Sequence, residues 1–153
     1  MTTVRYQSVL STSAEKLFEF HVNAENLPRI TPPFPPFALL TPAGRSHPGD
    51  LQDLRLGWNR LGLTWRARMT RVEDGRLVED VQDSGPFRCW VHRHEFRDVA
   101  PGQALLRDSV RFRFFPTPLG EFLEYFTVRP LVIGLFRYRH QKTRTALSHH
   151  KCS

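Results

Sequence analysis

His92 and His94 are separated by one residue, and the run around them alternates apolar and polar residues as an extended strand does. Alternate side chains of a strand share a face, so both imidazoles point the same way. A histidine beside a carboxylate can act as a base near neutral pH. The same pair, with an oxygen from Asp80 or Asp108, offers the donors of a metal site. It could also hydrogen-bond a ligand hydroxyl or carbonyl, or His94 and Asp108 could form a buried polar pair that fixes strand register. The sequence favours the buried pair and assigns no metal and no cofactor. It places no serine, cysteine or second acid as nucleophile or oxyanion donor. His94 and Asp108 are therefore the catalytic candidates if the chain is an enzyme, and a non-catalytic binder is the favoured reading.

The elements that must position these groups follow from periodicity and punctuation. Val4 to Leu10 reads as a strand, and Ser13 can cap a helix in which Ala14, Leu17, Phe18 and Val22 recur at helical spacing. Glu15 in its first turn suits the helix dipole. A second short helix is expected over Ala24 to Arg29, ending before the Pro32, Pro33, Pro35, Pro36 segment. From Phe37 to Phe115 the period is two. Turn signals fall at Pro42 to Gly49, Asn59 to Gly62, Asp74-Gly75, Ser84 to Pro86 and Pro101-Gly102, which makes about six more strands in a meander. Pro118 and Pro130 suit early helix positions. A helical piece over Leu119 to Phe126 is expected to precede a long helix, in which Leu131, Val132, Leu135, Phe136, Arg139, Lys142, Thr143 and Ala146 recur at spacings of three and four.

Register turns these strands into a surface. If Asp74-Gly75 is a two-residue turn, Val72 opposes Leu77, Met69 opposes Asp80 and Ala67 opposes Gln82. Trp65, Ala67, Met69, Val78, Asp80 and Gln82 then share the inward face with Trp90, His92, His94 and Phe96, and with Leu106, Asp108, Val110 and Phe112 of the next strand. His94 should face Asp108. A wall of Trp, Phe, Met and Val with embedded polar groups has the composition of a ligand pocket, where a plain interior would be aliphatic. His21 is expected on the helix surface or between helices, and Cys89 points away from the pocket.

Composition bounds the rest. At 153 residues with 40% hydrophobic residues, the chain fits one domain, residues 1–153, around a single core. The 22 Lys and Arg exceed the 15 Asp and Glu by seven. The arginines Arg55, Arg60, Arg66, Arg68, Arg71 and Arg76 read as a solvated strand face, and the basic segment Arg137 to Lys151 is the better candidate for an anionic contact. A peripheral contact with anionic membrane is the open partner there, and nucleic acid is not expected. Cys89 and Cys152, with no signal-peptide pattern, argue against a structural disulfide and for the cytoplasm. The run Pro130 to Phe136 is far shorter than the roughly 20 residues that cross a bilayer.

The stretch Phe20-His21-Val22-Asn23, through Asn26-Leu27 to Ile30-Thr31-Pro32-Pro33-Phe34, resembles the first helical region of the START-like, polyketide-cyclase-related (SRPBCC) superfamily, which includes birch-pollen-allergen-like proteins. Gly85-Pro86-Phe87 with Trp90, His92, His94 and Phe96 is similar to that family's central hairpin, and Pro118-Leu119-Gly120 and Phe136 to His140 resemble its last helix. The resemblance implies an α+β helix-grip fold: a curved antiparallel sheet of about seven strands around a long C-terminal helix, with two short helices after the first strand. It implies binding or transport of a small hydrophobic ligand, lipid, isoprenoid or polyketide-like, between sheet and helix. Trp65, Met69, Trp90, Phe112, Leu135 and Phe136 are expected to line its apolar part, and Asp80, Gln82, His92, His94 and Asp108 to orient a polar group. The alternatives are a cyclase or dehydratase using the His94–Asp108 pair, and a basic interaction module.

Overall fold

The computed structural model describes residues 1–114 and 117–148. Phe115, the end of the expected strand region, lies outside the described residues, as does the end of the basic segment from His149 onward, with Cys152. Seven strands form one antiparallel sheet: β1 (Thr2–Leu10), β2 (Phe37–Leu39), β3 (Leu51–Leu56), β4 (Leu63–Glu73), β5 (Leu77–Ser84), β6 (Cys89–Ala100) and β7 (Gln103–Arg113). Their order is β1-β7-β6-β5-β4-β3-β2, so β2 to β7 is an uninterrupted meander and β1 closes onto the last strand. The helices are α1 (Ala14–Val22), α2 (Leu27–Ile30), α3 (Pro118–Phe126) and the long α4 (Val128–Ser148). This is the helix-grip arrangement.

The expected helix over Ala24 to Arg29 is instead a 3-10 turn, Ala24–Asn26, followed by the single turn of α2. Asn23 caps the 3-10 turn by accepting from the Glu25 amide, and Asn26 donates from its side chain to the Phe20 carbonyl. Those side-chain bonds compete with helix continuation and break the segment in two.

α1 starts where the Ser13 hydroxyl accepts from the Lys16 amide at 3.3 Å, and Asp98 at the end of β6 accepts from the Ala14 amide at 2.8 Å. Both satisfy donors that the first turn leaves free. Its apolar stripe, Ala14, Leu17, Phe18 and Val22, packs on Met69, Val78, Phe96 and Leu106. A second cluster joins Val4, Trp90, Val110 and Phe112 of the sheet to Val132 and Phe136 of α4. The two cores meet the sheet at different places, and Met69 and Val78 of the first and Trp90 of the second also line the space between them.

The register is as the sequence implies at Met69↔Asp80, Ala67↔Gln82 and His94↔Asp108. It differs at the hairpin, where Val72 opposes Val78 and Glu73 opposes Leu77. The turn therefore holds three residues, closed by the Arg76 amide on the Glu73 carbonyl, with Gly75 at φ +67. A bulge between Met69 and Arg71 absorbs the extra residue and restores the expected pairing below it. At the β5–β6 turn, Gly85 has φ +154 and a Cβ there would lie 2.6 Å from Gln82 Oε1.

Candidate functional site

Between the two cores lies a cavity of about 180 Å³. The sheet supplies Trp65, Ala67 and Met69 from β4, Val78 and Asp80 from β5, and Trp90, His92 and His94 from β6. α4 closes it with Leu135 and Arg139, α1 contributes His21, and Phe37, Leu54 and Leu56 form the apolar wall toward the β2 edge. The strand alternation that buries the two cores also points these residues inward. On the convex side a wider groove of about 390 Å³ is lined by charged side chains such as Arg71, Arg93, Glu95 and Arg107; it is a solvated surface with no enclosed apolar wall.

Behind the cavity wall runs a chain of side-chain hydrogen bonds. His94 Nδ1 meets Asp108 Oδ1 at 2.5 Å, Asp108 Oδ2 meets His140 Nε2 at 3.2 Å, and His140 Nδ1 meets Ser8 Oγ at 2.6 Å. Asp108 is 1% exposed. Burial alone would raise its pKa, but attraction to His94, hydrogen bonds from His140 and His94, and attraction to His92 hold it well below the usual carboxylate range. An ionised carboxylate only accepts, so both ring nitrogens that face it donate. His94 is thereby left with Nε2 as its remaining nitrogen, on a ring that lines the cavity.

The other polar groups are less completely served. His92 is 4% exposed; its Nδ1 lies 3.5 Å from Asp80 Oδ2, its ring stacks on Phe136 at 5.2 Å, and its Nε2 has no hydrogen-bond partner among the described residues. Trp65 Nε1 and Arg139 Nε are buried and likewise without a partner. Burial lowers the Arg139 pKa from its ordinary value, while Asp108 and Asp80 oppose that shift. His21 donates from Nδ1 to the Leu17 carbonyl, 2.7 Å away, and its ring lies 5.1 Å from that of His94. Burial and then repulsion from His94 push its pKa down to about 3, so the imidazole is neutral.

Of the residues expected to form the site, Trp65, Met69, Asp80, Trp90, His92, His94 and Leu135 line the cavity. Four sit elsewhere. Asp108 stands behind His94, and Phe136 backs His92. Phe112 is packed against Phe87 and Trp90 in the second core. Gln82 turns to the β5–β6 hairpin, where it accepts from the Phe87 amide and donates to the Phe87 carbonyl. Conversely, the sequence places His21 on the helix surface or between helices and Arg139 in a basic, solvated end, and the structure brings both to the cavity. The signal was present in each case. His21 follows Leu17 by four and Phe18 by three, and Arg139 follows Leu135 by four and Phe136 by three, so both belong to apolar stripes.

Comparison with known proteins agrees with this architecture. The family model for polyketide cyclase / dehydrase and lipid transport matches residues 10–132. The chain belongs to this family. As a START-like, polyketide-cyclase-like domain it is a ligand-binding domain. No curated protein sequence matches it. A nucleoside-diphosphate sugar epimerase from Corynebacterium glutamicum is 26% identical with a TM-score of 0.69, over 95% of this chain but 29% of its own. The chain thus spans about three-tenths of that epimerase chain. A START superfamily protein from Mycobacterium smegmatis superposes with a TM-score of 0.70 at 15% identity, covering 97% of this chain and 99% of that one. Norcoclaurine synthase from Thalictrum flavum, in complex with dopamine and hydroxybenzaldehyde, gives 0.72 at 14% identity over 99% and 89%. Among the described residues, no helix is long and apolar enough to cross a membrane.

Proposed function

We propose that this member of the family binds a compact, mostly apolar molecule bearing a carbonyl or carboxylate oxygen in the cavity beneath α4. The observation that carries this reading is the pair of buried N–H groups, Trp65 Nε1 and Arg139 Nε, left without acceptors in a cavity whose remaining lining combines apolar side chains with Asp80, His92 and His94. A buried donor without a partner costs about 1–3 kcal/mol, and a ligand oxygen removes that cost. Size narrows the class. A cavity of about 150 Å³ accommodates benzene, so about 180 Å³ suits a one- or two-ring polyketide-like aromatic or a short isoprenoid. A long acyl chain needs more room. Native mass spectrometry of the purified protein, followed by titration with one- and two-ring acids and ketones, tests this reading. A retained small molecule or micromolar binding supports it; an empty protein that binds none of the panel contradicts it.

A second reading has its own support. Asp108 fixes the tautomer of His94 so that Nε2 can accept a proton from a bound ligand, which is the arrangement a cyclase or dehydratase of this family requires of a base. In that case His94→Ala abolishes turnover of a poly-β-carbonyl substrate while the chain stays folded. Unchanged turnover removes His94 from the chemistry and leaves the binding reading intact.

A further inference from the structure

Asp80, His92 and His94 bring one carboxylate and two imidazoles to one side of the cavity, with a ligand atom from each lying within 4.8 Å of the others. β5 and β6 place them there directly: Asp80 is paired with His92 across the ladder, and His94 follows two residues on along the same face. We propose that these three side chains form a binding site for one divalent transition-metal ion. This goes beyond the binding of an organic ligand and stands on different atoms.

Three features of the cluster point to an ion. First, the donor set is two imidazole nitrogens and one carboxylate oxygen, the combination that suits zinc or ferrous iron with coordination positions left open. Second, His94 is held from behind. Its Nδ1 is bonded to the Asp108 carboxylate, and Asp108 is itself fixed by His140 and, through it, Ser8. Metal-bound histidines characteristically carry such a carboxylate on the nitrogen remote from the ion, because it sets the tautomer and raises the basicity of the other nitrogen. Third, His92 is buried, and the structure leaves its Nε2 without any hydrogen-bond partner among the described residues while Nδ1 lies beside Asp80. An imidazole so placed has a lone pair available on one side or the other.

Arg139 shares the cavity, and a cation must coexist with it. The charges allow this: Asp80 and Asp108 together carry two negative charges against the one guanidinium, so an ion compensates a carboxylate that Arg139 does not. No ion-pair contact ties Arg139 to either carboxylate within the described residues. The guanidinium remains free to meet an oxygen of an organic ligand on the other wall.

Cobalt titration of chelator-treated protein, followed by visible absorption and zinc competition, tests the site. Because the sequence also carries His149, His150 and Cys152, the titration is run in the wild type and in a His149→Ala, His150→Ala, Cys152→Ser background. The expected result is one tightly held equivalent in both, with d–d bands of a low-coordinate ion. Asp80→Asn and His92→Gln each weaken binding at least about tenfold, and Asp108→Asn weakens it about tenfold while keeping the one-to-one stoichiometry. His47→Ala, at the exposed His47–Asp50 pair, leaves it unchanged. Absence of one-to-one binding in the wild type overturns the proposal whatever the variants do, as does binding that folded Asp80→Asn and His92→Gln proteins retain in full. Small-molecule binding by the chelator-treated protein separates failure of this proposal from failure of the ligand reading.

Discussion

His21 gives the sharpest quantitative test of how closed the site is. Its pKa falls from 6.5 to about 3, chiefly because burial penalises the imidazolium and then because His94 repels it, against weaker opposition from Asp108 and the Leu17 carbonyl. The unfolded chain takes up a proton near pH 6.5 that the folded chain refuses until about pH 3, so unfolding becomes easier as pH drops through that interval. Each unit corresponds to about 1.4 kcal/mol, which makes the loss about 2–3 kcal/mol between pH 6.5 and 4.5. His21→Gln keeps a polar group that can reach the Leu17 carbonyl and removes the titration. Urea unfolding of both proteins at half-unit pH steps gives a difference curve in which the other facing groups, His94, His140 and Asp108, cancel to first order. The expected curve slopes: the variant gains about 2–3 kcal/mol relative to wild type on acidification. A flat difference, constant to about 0.5 kcal/mol, refutes an enclosed, neutral His21 and with it the closure of the cavity by α1.

Three further outcomes follow from the same geometry. Asp108→Asn, which can accept from only one of the two histidines, should cost about 2–3 kcal/mol and lower the melting temperature by roughly 4–12 °C in a calorimetric scan. Wild-type stability attributable to Asp108 is present above the ordinary carboxylate range and lost as pH falls below about 4, so the gap between the two proteins should close in strong acid. Gly85→Ala should destabilise by about 1–3 kcal/mol in chemical denaturation, because its Cβ meets the Gln82 side chain and its φ is unfavourable to other residues. Ala67→Phe should fill the cavity, preserve the fold by circular dichroism and abolish binding of any small molecule the wild type holds.

The fold was legible because its signals are local and redundant. Turn residues at Asp74-Gly75, Ser84 to Pro86 and Pro101-Gly102 punctuate strands of period two, and a single register then places Met69, Asp80, His92, His94 and Asp108 on one face. The Thr70 bulge was hidden because an extra turn residue and a bulge cancel, leaving the pairing of Met69 with Asp80 unaltered. The site was legible on the sheet and much less so on the helices. A strand's alternation says directly which side chains face inward, whereas a charged residue on a helix stripe, as at His21 or Arg139, is ordinarily assigned to water. What reverses that assignment is the concave sheet opposite, a long-range fact that the helix sequence does not contain. Gln82 and Phe112 show the converse: correct face, different task, because a turn and an aromatic cluster claim them first.

The central claim is that unpartnered N–H groups wait in a hollow between sheet and helix, and the indole proton of Trp65 reports on it most directly. In a nitrogen-correlated proton spectrum, assigned by loss of the signal in Trp65→Phe, titration with a one- or two-ring carboxylic acid or ketone should move that proton downfield in saturable fashion as its oxygen accepts the bond. The Trp58 indole, on an exposed side chain, should stay where it is. An indole resonance of Trp65 that is unmoved by every member of the panel, or that exchanges with water as fast as that of Trp58, contradicts the account.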